Sequence, residues 1–461
     1  MREHNKNNVV LEKVPFPEEE YIDKKILDDA TIQERLKKVL RIMGEKELDC
    51  LVIYADVEHG SNFEYLCGFI PRFEEALLVL HKNAKAYLLL GNEVLGMAKN
   101  SRIQAEGIHV PYFSLPDQPM IKESTVSVAL KKAGLKAGMQ VGIVGWKGLY
   151  RYDEQAYDVP HYIVEAVREQ KVTICNATGV FIDSEYGARA VNCVDEIAFY
   201  EYGQVLAANG TLRVMKEIAE GKSEVEMADL LESDGQFHNV VTIFSTGARF
   251  KKANIYPSSK KMKIGDRISM TVGYKGGLSS RGAYLAKNEN DLPLEERGYL
   301  ENLVKPYFTA VTVWLEQIHV GMKGSELYDL IESVLPKEIY HWQLNPGHLT
   351  ADEEWMSSPI YPGSEKMLKS GMLLQIDIIP SMDGLGGCGC ENGIALADKE
   401  MREKIQEKDP EMWRRFETRR KYLQDVLHIH LHDDVLPLSN VVAFARPYLL
   451  DKESALVNGN K

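Results

Sequence analysis

The sequence predicts an α+β chain of two domains, a smaller α/β domain first and a larger domain of long helices and hairpins after it. Three observations carry this. At 461 residues the chain exceeds what one ordinary core organises. Helix and strand patterns alternate over roughly the first 180 residues. Near Ala188 the pattern shifts to long amphipathic helices followed by hairpin strands, so the expected domains are residues 1–187 and 188–461.

In the first domain, Ile32, Leu36, Val39, Leu40 and Met43 recur at helical spacing over Thr31–Glu47, and the apolar run Asp49–Ala55 that follows reads as a strand. ALLVLHK and AKAYLLLG, either side of Asn83, read as a hairpin; Met139–Gly145 reads as a buried strand ahead of a helix beginning near Asp153. In the second domain Glu196, Ile197, Tyr200, Ala207 and Ala208 share a helix face, Gly221 stops that helix and Ser223 caps the next. VVTIFS follows as a strand, then the hairpin Gly265–Tyr284, a helix pair Leu294–Ile318 and Ser325–Leu335, and the strand-like LLQIDIIP and GIALAD. Residues 399–427 read as a charged helix pair interrupted at Pro410.

Composition excludes several classes. The net charge of −13 repels nucleic acid and anionic membrane. The first ten residues, MREHNKNNVV, carry no signal-like apolar run, and nowhere do about 18 uncharged apolar residues stand together, so a cytoplasmic protein is expected. Six cysteines spread over so long a chain suit reduced thiols.

The hairpin raises the functional question. Its runs Ile268–Val272 and Leu278–Tyr284 flank a Gly-rich turn, Lys275, Gly276 and Gly277, and they present Thr271 and Arg281 in mid-chain where no acid stands.

Six ordered segments bear on that question: NFEYLCGFIPRFEEALLVL, RAVNCVDEI, EGKSEVEMADLL, MKIGDRISM, NPGHLTADEEWMSSPI and KSGMLLQIDIIP. Together they resemble the creatinase and Xaa-Pro aminopeptidase family, whose large domain has the pita-bread fold shared with prolidase and methionine aminopeptidase. The resemblance implies a hydrolase of a C–N bond and a homodimer. In active metallopeptidases of this family two aspartates, one histidine and two glutamates hold two divalent ions, which turn a bridging water into a nucleophile. Carried onto this chain, the aspartates fall at Thr271 and Arg281, the histidine is His348, the first glutamate is shortened to Asp377 and the second is Glu391. The family's loop histidine, the proton carrier of metal-free creatinase, corresponds to Asn254, and a further histidine aligns near Trp355.

The candidate catalytic residues are therefore His348, Asn254, Glu391 and Asp377, and the candidate substrate-binding residues are Thr271, Arg281, Glu354 and Trp355. An arginine cannot shed its charge, so an internal ion pair of Arg281 with Glu391 or Asp377 is expected in place of the metals, with no cofactor. The alternative is one divalent ion, manganese or zinc, on His348, Asp377 and Glu391. Cys388 and Cys390 could add thiolates to such a site, and His428, His430 and His432 would share one strand face. A nucleophile at Ser279, Ser280 or a cysteine lacks a base at visible spacing. The expected ligand is a small amide, amidine or peptide-like molecule, turned over without the two-metal centre; the rival readings are a non-catalytic binding or scaffold protein and a one-ion peptidase on Xaa-Pro peptides.

Overall fold

In the computed structural model, which describes residues 6–118, 120, 124–232, 234–248 and 256–459, the chain forms two compact units. One comprises Leu27–Ala190; the other joins Met1–Ile26 to Val191–Lys461. The expected division at residue 187 thus differs at its start, and the reason is strand pairing. Val9–Lys13 lies antiparallel to Ser454–Asn458, with Val9 opposite Asn458.

The Leu27–Ala190 unit is built on a six-stranded mixed sheet. Its order is Glu106–His109, Ala86–Leu90, Ala76–His81, Cys50–Ala55, Gln140–Val144 and Thr173–Asn176. The two middle strands are buried throughout except at His81, which is why they read as apolar runs. The helix Asp29–Glu45 begins where Asp28 accepts from the Thr31 N–H, and it buries Ile32, Leu36, Val39 and Met43. The helix expected near Asp153 starts later, at His161, because Pro160 presets the entry and lacks the N–H a preceding turn would use.

The larger unit carries two four-stranded antiparallel sheets. The first runs in the order Gly389–Glu391, Gly277–Tyr284, Arg267–Tyr274, Val240–Thr246; the second runs His348–Leu349, Leu373–Gln375, Gly393–Leu396, Val435–Pro437. The long helix Val194–Glu217 packs on the first sheet. Its approach to the hairpin tip is close: a Cβ on Gly203 would stand 1.9 Å from the Lys275 carbonyl oxygen, so no larger residue fits. From the same helix the buried Gln204 donates to the Gly276 carbonyl at 2.8 Å and accepts from the Gly393 N–H at 3.3 Å, binding the hairpin tip to the second sheet. The expected helix Leu294–Ile318 is shorter, a π-helical stretch Leu300–Val304 running into the α-helix Lys305–Gln317, because Gly298 at φ +90° separates the turn Leu294–Glu296 from it.

The charged C-terminal pair is observed as Lys399–Lys408 and Pro410–Asp425, with Asp409 capping the second. That second helix holds a buried ion network. Arg419, 1% exposed in its side chain, binds Glu20 at 2.7 Å and Glu201 at 2.7 Å, and Arg415 binds Glu201 at 2.6 Å. Removing one member leaves a charge buried without its counterion, which costs several kcal/mol. Arg419→Ala should therefore lower unfolding stability by about 3–5 kcal/mol in urea titrations. A change under about 1 kcal/mol would show that the network is solvated rather than buried.

Candidate functional site

The hairpin register decides which side chains meet. Tyr274 pairs with Gly277 across a two-residue turn, so Thr271 faces Ser280 and Ser280 in turn faces Glu391 on the next strand. In a strand successive side chains point to opposite faces. Thr271, Ser280 and Glu391 therefore share one face, and Arg281 belongs to the other with its partners Met270 and Cys390. The Thr271 and Ser280 hydroxyls share a hydrogen bond of 2.8 Å.

This corrects the expectation for Arg281. Its guanidinium donates to the main-chain carbonyls of Phe444 at 3.1 Å, Ser280 at 2.8 Å, Glu391 at 3.1 Å and Val441 at 2.7 Å, and to the Asn392 side-chain oxygen at 2.6 Å. Among these there is no carboxylate. The expected ion pair with Glu391 or Asp377 is replaced by neutral acceptors, because Arg281 turns away from the face that bears those acids. Ser280, weighed from the sequence only as a nucleophile, takes the place expected for Arg281 beside Thr271, because the register turns on which two of Lys275, Gly276 and Gly277 form the turn.

A cavity of about 540 Å³ opens on this face. Thr271, Ser280, Glu354, Trp355, Asp377 and Glu391 all border it, and so does the strand at Arg281. His348 stands behind that wall and is fully buried. Its ring stacks on Trp355 at 4.1 Å, and its Nε2 lies 3.0 Å from Glu354 and 3.8 Å from Asp377. The contact with Glu354 is the imidazole's shorter carboxylate pair, and Asp377 Oδ1 makes no hydrogen bond. Nδ1 donates to the Leu349 carbonyl at 3.2 Å, which aims Nε2 at the two acids.

Electrostatics follow from that arrangement. Burial alone would lower the His348 pKa, but the charges of Glu354 and Asp377 outweigh it and raise it. For Asp377 burial dominates: its pKa rises from 3.8 to about 6, with His348 opposing the rise and Glu354 adding to it. Asp352, two residues before Glu354, lies near Lys275 at 3.5 Å and accepts from the Tyr200 hydroxyl at 3.2 Å.

The donor set does not fit the metals that the resemblance implies. Hydroxyls occupy the hairpin positions. Among the described residues no group of three or more His, Cys, Asp or Glu is arranged to hold an ion, which leaves the one-ion set of His348, Asp377 and Glu391 without support as well. Burial pushes the thiols of Cys388 and Cys390 up, against the charge of Arg281 at Cys390, so they stand as neutral thiols. His428, His430 and His432 do not form a strand: His428 takes φ +56°, the His430 N–H binds Glu316, and the His432 ring lies 5.2 Å from His319. Asn254 lies outside the described residues.

Two outcomes test this geometry. Arg281→Ala strips five hydrogen bonds from buried acceptors and should cost about 3–5 kcal/mol, whereas Ser280→Ala should cost under about 1 kcal/mol; the reverse order in urea unfolding would put Arg281 on the cavity face. Asp377 holds its proton more tightly folded than unfolded. The stability from that proton is therefore present below about pH 4 and lost as pH rises through about 6. Asp377→Asn, which cannot ionise, should gain on the order of 3 kcal/mol relative to the parent between pH 4 and 7 in paired unfolding curves; parallel curves would refute the shift.

Comparison with known proteins agrees with the architecture. Residues 35–182 match the family model of the creatinase/prolidase N-terminal domain. The prolidase of Pyrococcus horikoshii superposes with a TM-score of 0.61 at 19% identity, covering 79% of this chain and 95% of that one. An Xaa-Pro dipeptidase from Bacillus anthracis gives 0.60 at 17% identity over 80% of this chain and 96% of that one. An X-Pro aminopeptidase from Thermotoga maritima gives 0.58 at 16% identity over 79% and 95%. No curated protein matches the sequence. The chain thus carries the creatinase/prolidase N-terminal domain at residues 35–182, and over most of its length it has the fold of the prolidases, with the pita-bread architecture beyond that domain.

Proposed function

We propose that the cavity binds a small amide, amidine or peptide-like molecule and hydrolyses a C–N bond in it, with Asp377 carrying the proton and without a two-metal centre. The observation that supports this is Asp377 itself. It is a buried carboxyl on the cavity wall, its Oδ1 makes no hydrogen bond, and its pKa of about 6 lies near a working pH. Its carboxylate takes a proton from an attacking water as the new C–O bond forms. The same proton then passes to the leaving nitrogen as the C–N bond breaks.

Glu354 and Glu391 border the same cavity and attract the ligand's N–H groups. His348, one layer back, acts as a positioning residue: its charge tunes Asp377, and its stack fixes Trp355. The peptide-like ligand class draws further support from the structural neighbours, which bear the names of prolidase and Xaa-Pro dipeptidase.

A second reading, binding without turnover, is favoured by the Thr271–Ser280 hydroxyl pair, which supplies none of the charge that activates water in active relatives. Release of ammonia or free amine from amide and dipeptide panels separates the two. Turnover should survive exhaustive chelation, and Asp377→Asn should lower kcat by about 10²–10⁴-fold. Binding with no product supports the second reading. Activity abolished by chelation and restored by manganese or zinc would refute the metal-independent mechanism.

A further inference from the structure

The cavity has a second polar surface that the proposed chemistry does not use. Along the face that bears Thr271 and Ser280, Ser245 stands opposite Ser269, two residues along the same strand from Thr271. Three adjacent strands thus present four hydroxyls to one cavity. Thr271 is buried and the three serines are half-buried, so the row needs hydrogen-bond partners wherever the cavity excludes water. Across from Ser269 the neighbouring strand carries Gly282, and beyond that Gly389, so these two in-sheet positions add no side chain beside it.

Two observations show that hydrogen-bonding capacity remains. Thr271 and Ser280 spend one O–H on each other, so the pair retains a second O–H to donate. Among the described residues, Ser245 Oγ is buried and has no hydrogen-bond partner. At the acidic end, Asp377 is 4% exposed and its Oδ1 likewise makes no hydrogen bond. The arginines bordering the cavity neutralise neither end: Arg267 is bound to Glu296 at 2.8 Å and to Tyr284, and Arg281 to the acceptors on the other face.

We propose that Ser245, Ser269, Thr271 and Ser280 form a specificity subsite, which takes the hydroxyl- or amide-bearing body of a ligand whose cationic nitrogen head rests against Asp377. This inference depends on the cavity being a ligand site, as the proposed function holds, and it adds the shape and charge of the ligand. An alkyl chain along the hydroxyl wall would strip those groups of water and return no hydrogen bonds, which disfavours it. A neutral head would leave the Asp377 carboxylate without a counterion once the cavity closes to water.

The test uses three small probes on the full chain by isothermal titration calorimetry: L-serinamide, N-acetyl-L-serinamide, which lacks the charge, and n-butylammonium, which lacks the polar body. L-Serinamide should bind at least tenfold more tightly than either of the others. The double variant Ser245→Ala/Ser269→Ala should weaken L-serinamide about tenfold and leave n-butylammonium unchanged, with an unchanged unfolding midpoint as the control for folding. Equal affinity for L-serinamide and n-butylammonium, no effect of the double variant, or no binding by any probe would overturn the subsite. Ammonia release in the same samples keeps the two ideas apart: L-serinamide bound but not hydrolysed counts against hydrolysis alone, whereas ammonia release that ignores the double variant counts against the subsite alone.

Discussion

The two-residue turn at Lys275 and Gly276 pairs Tyr274 with Gly277, and in an antiparallel ladder that single pairing fixes every partner along both strands. It puts Thr271 against Ser280 and sends Arg281 to the opposite face. The turn is held from outside the hairpin. Gly203 lets the helix Val194–Glu217 reach the Lys275 carbonyl, and Gln204 on that helix binds Gly276. The composition of the cavity wall thus depends on a contact made by residues that never touch the cavity.

The two faces of the first sheet do different work as a result. On the inner face a permanent cation is saturated by carbonyls, so Arg281 joins strand to strand and both to the segment at Val441 and Phe444. On the cavity face the hairpin contributes hydroxyls, and the acids come from the second sheet's loops and from Glu391. Charge is thereby separated across the thickness of one sheet, and the guanidinium cannot neutralise Asp377 or Glu391 directly.

Much of the architecture was legible because it follows from period and punctuation. The buried strands Cys50–Ala55 and Ala76–His81, the helix behind Asp28 and the break at Pro410 each leave a local signature. Asp377, Glu391, Glu354 and Trp355 could also be drawn together in advance, through ordered motifs. The register of the hairpin could not be read in the same way, since three consecutive residues, Lys275, Gly276 and Gly277, all suit a turn and a shift of one exchanges the two faces. The strand expected at His428–His432 failed for a related reason: alternation predicts a strand only where a neighbouring strand accepts the hydrogen bonds, and here His430 bonds to a helix residue, Glu316. The layering of His348 behind Trp355 depends on contacts between segments that no local pattern encodes.

The pairing of Val9–Lys13 with Ser454–Asn458, together with Glu20 bound to Arg419, makes the larger unit discontinuous in sequence while Leu27–Ala190 is continuous. During synthesis the continuous unit has all its strands once residue 190 has emerged, and domains fold as units as they appear. The opening segment must then wait through more than four hundred residues of translation for its partner strand. Until that strand arrives, the acid Glu20 and the edge Val9–Lys13 stay in water, and the helix Pro410–Asp425 and the strand Ser454–Asn458 close the larger unit over a segment made long before them.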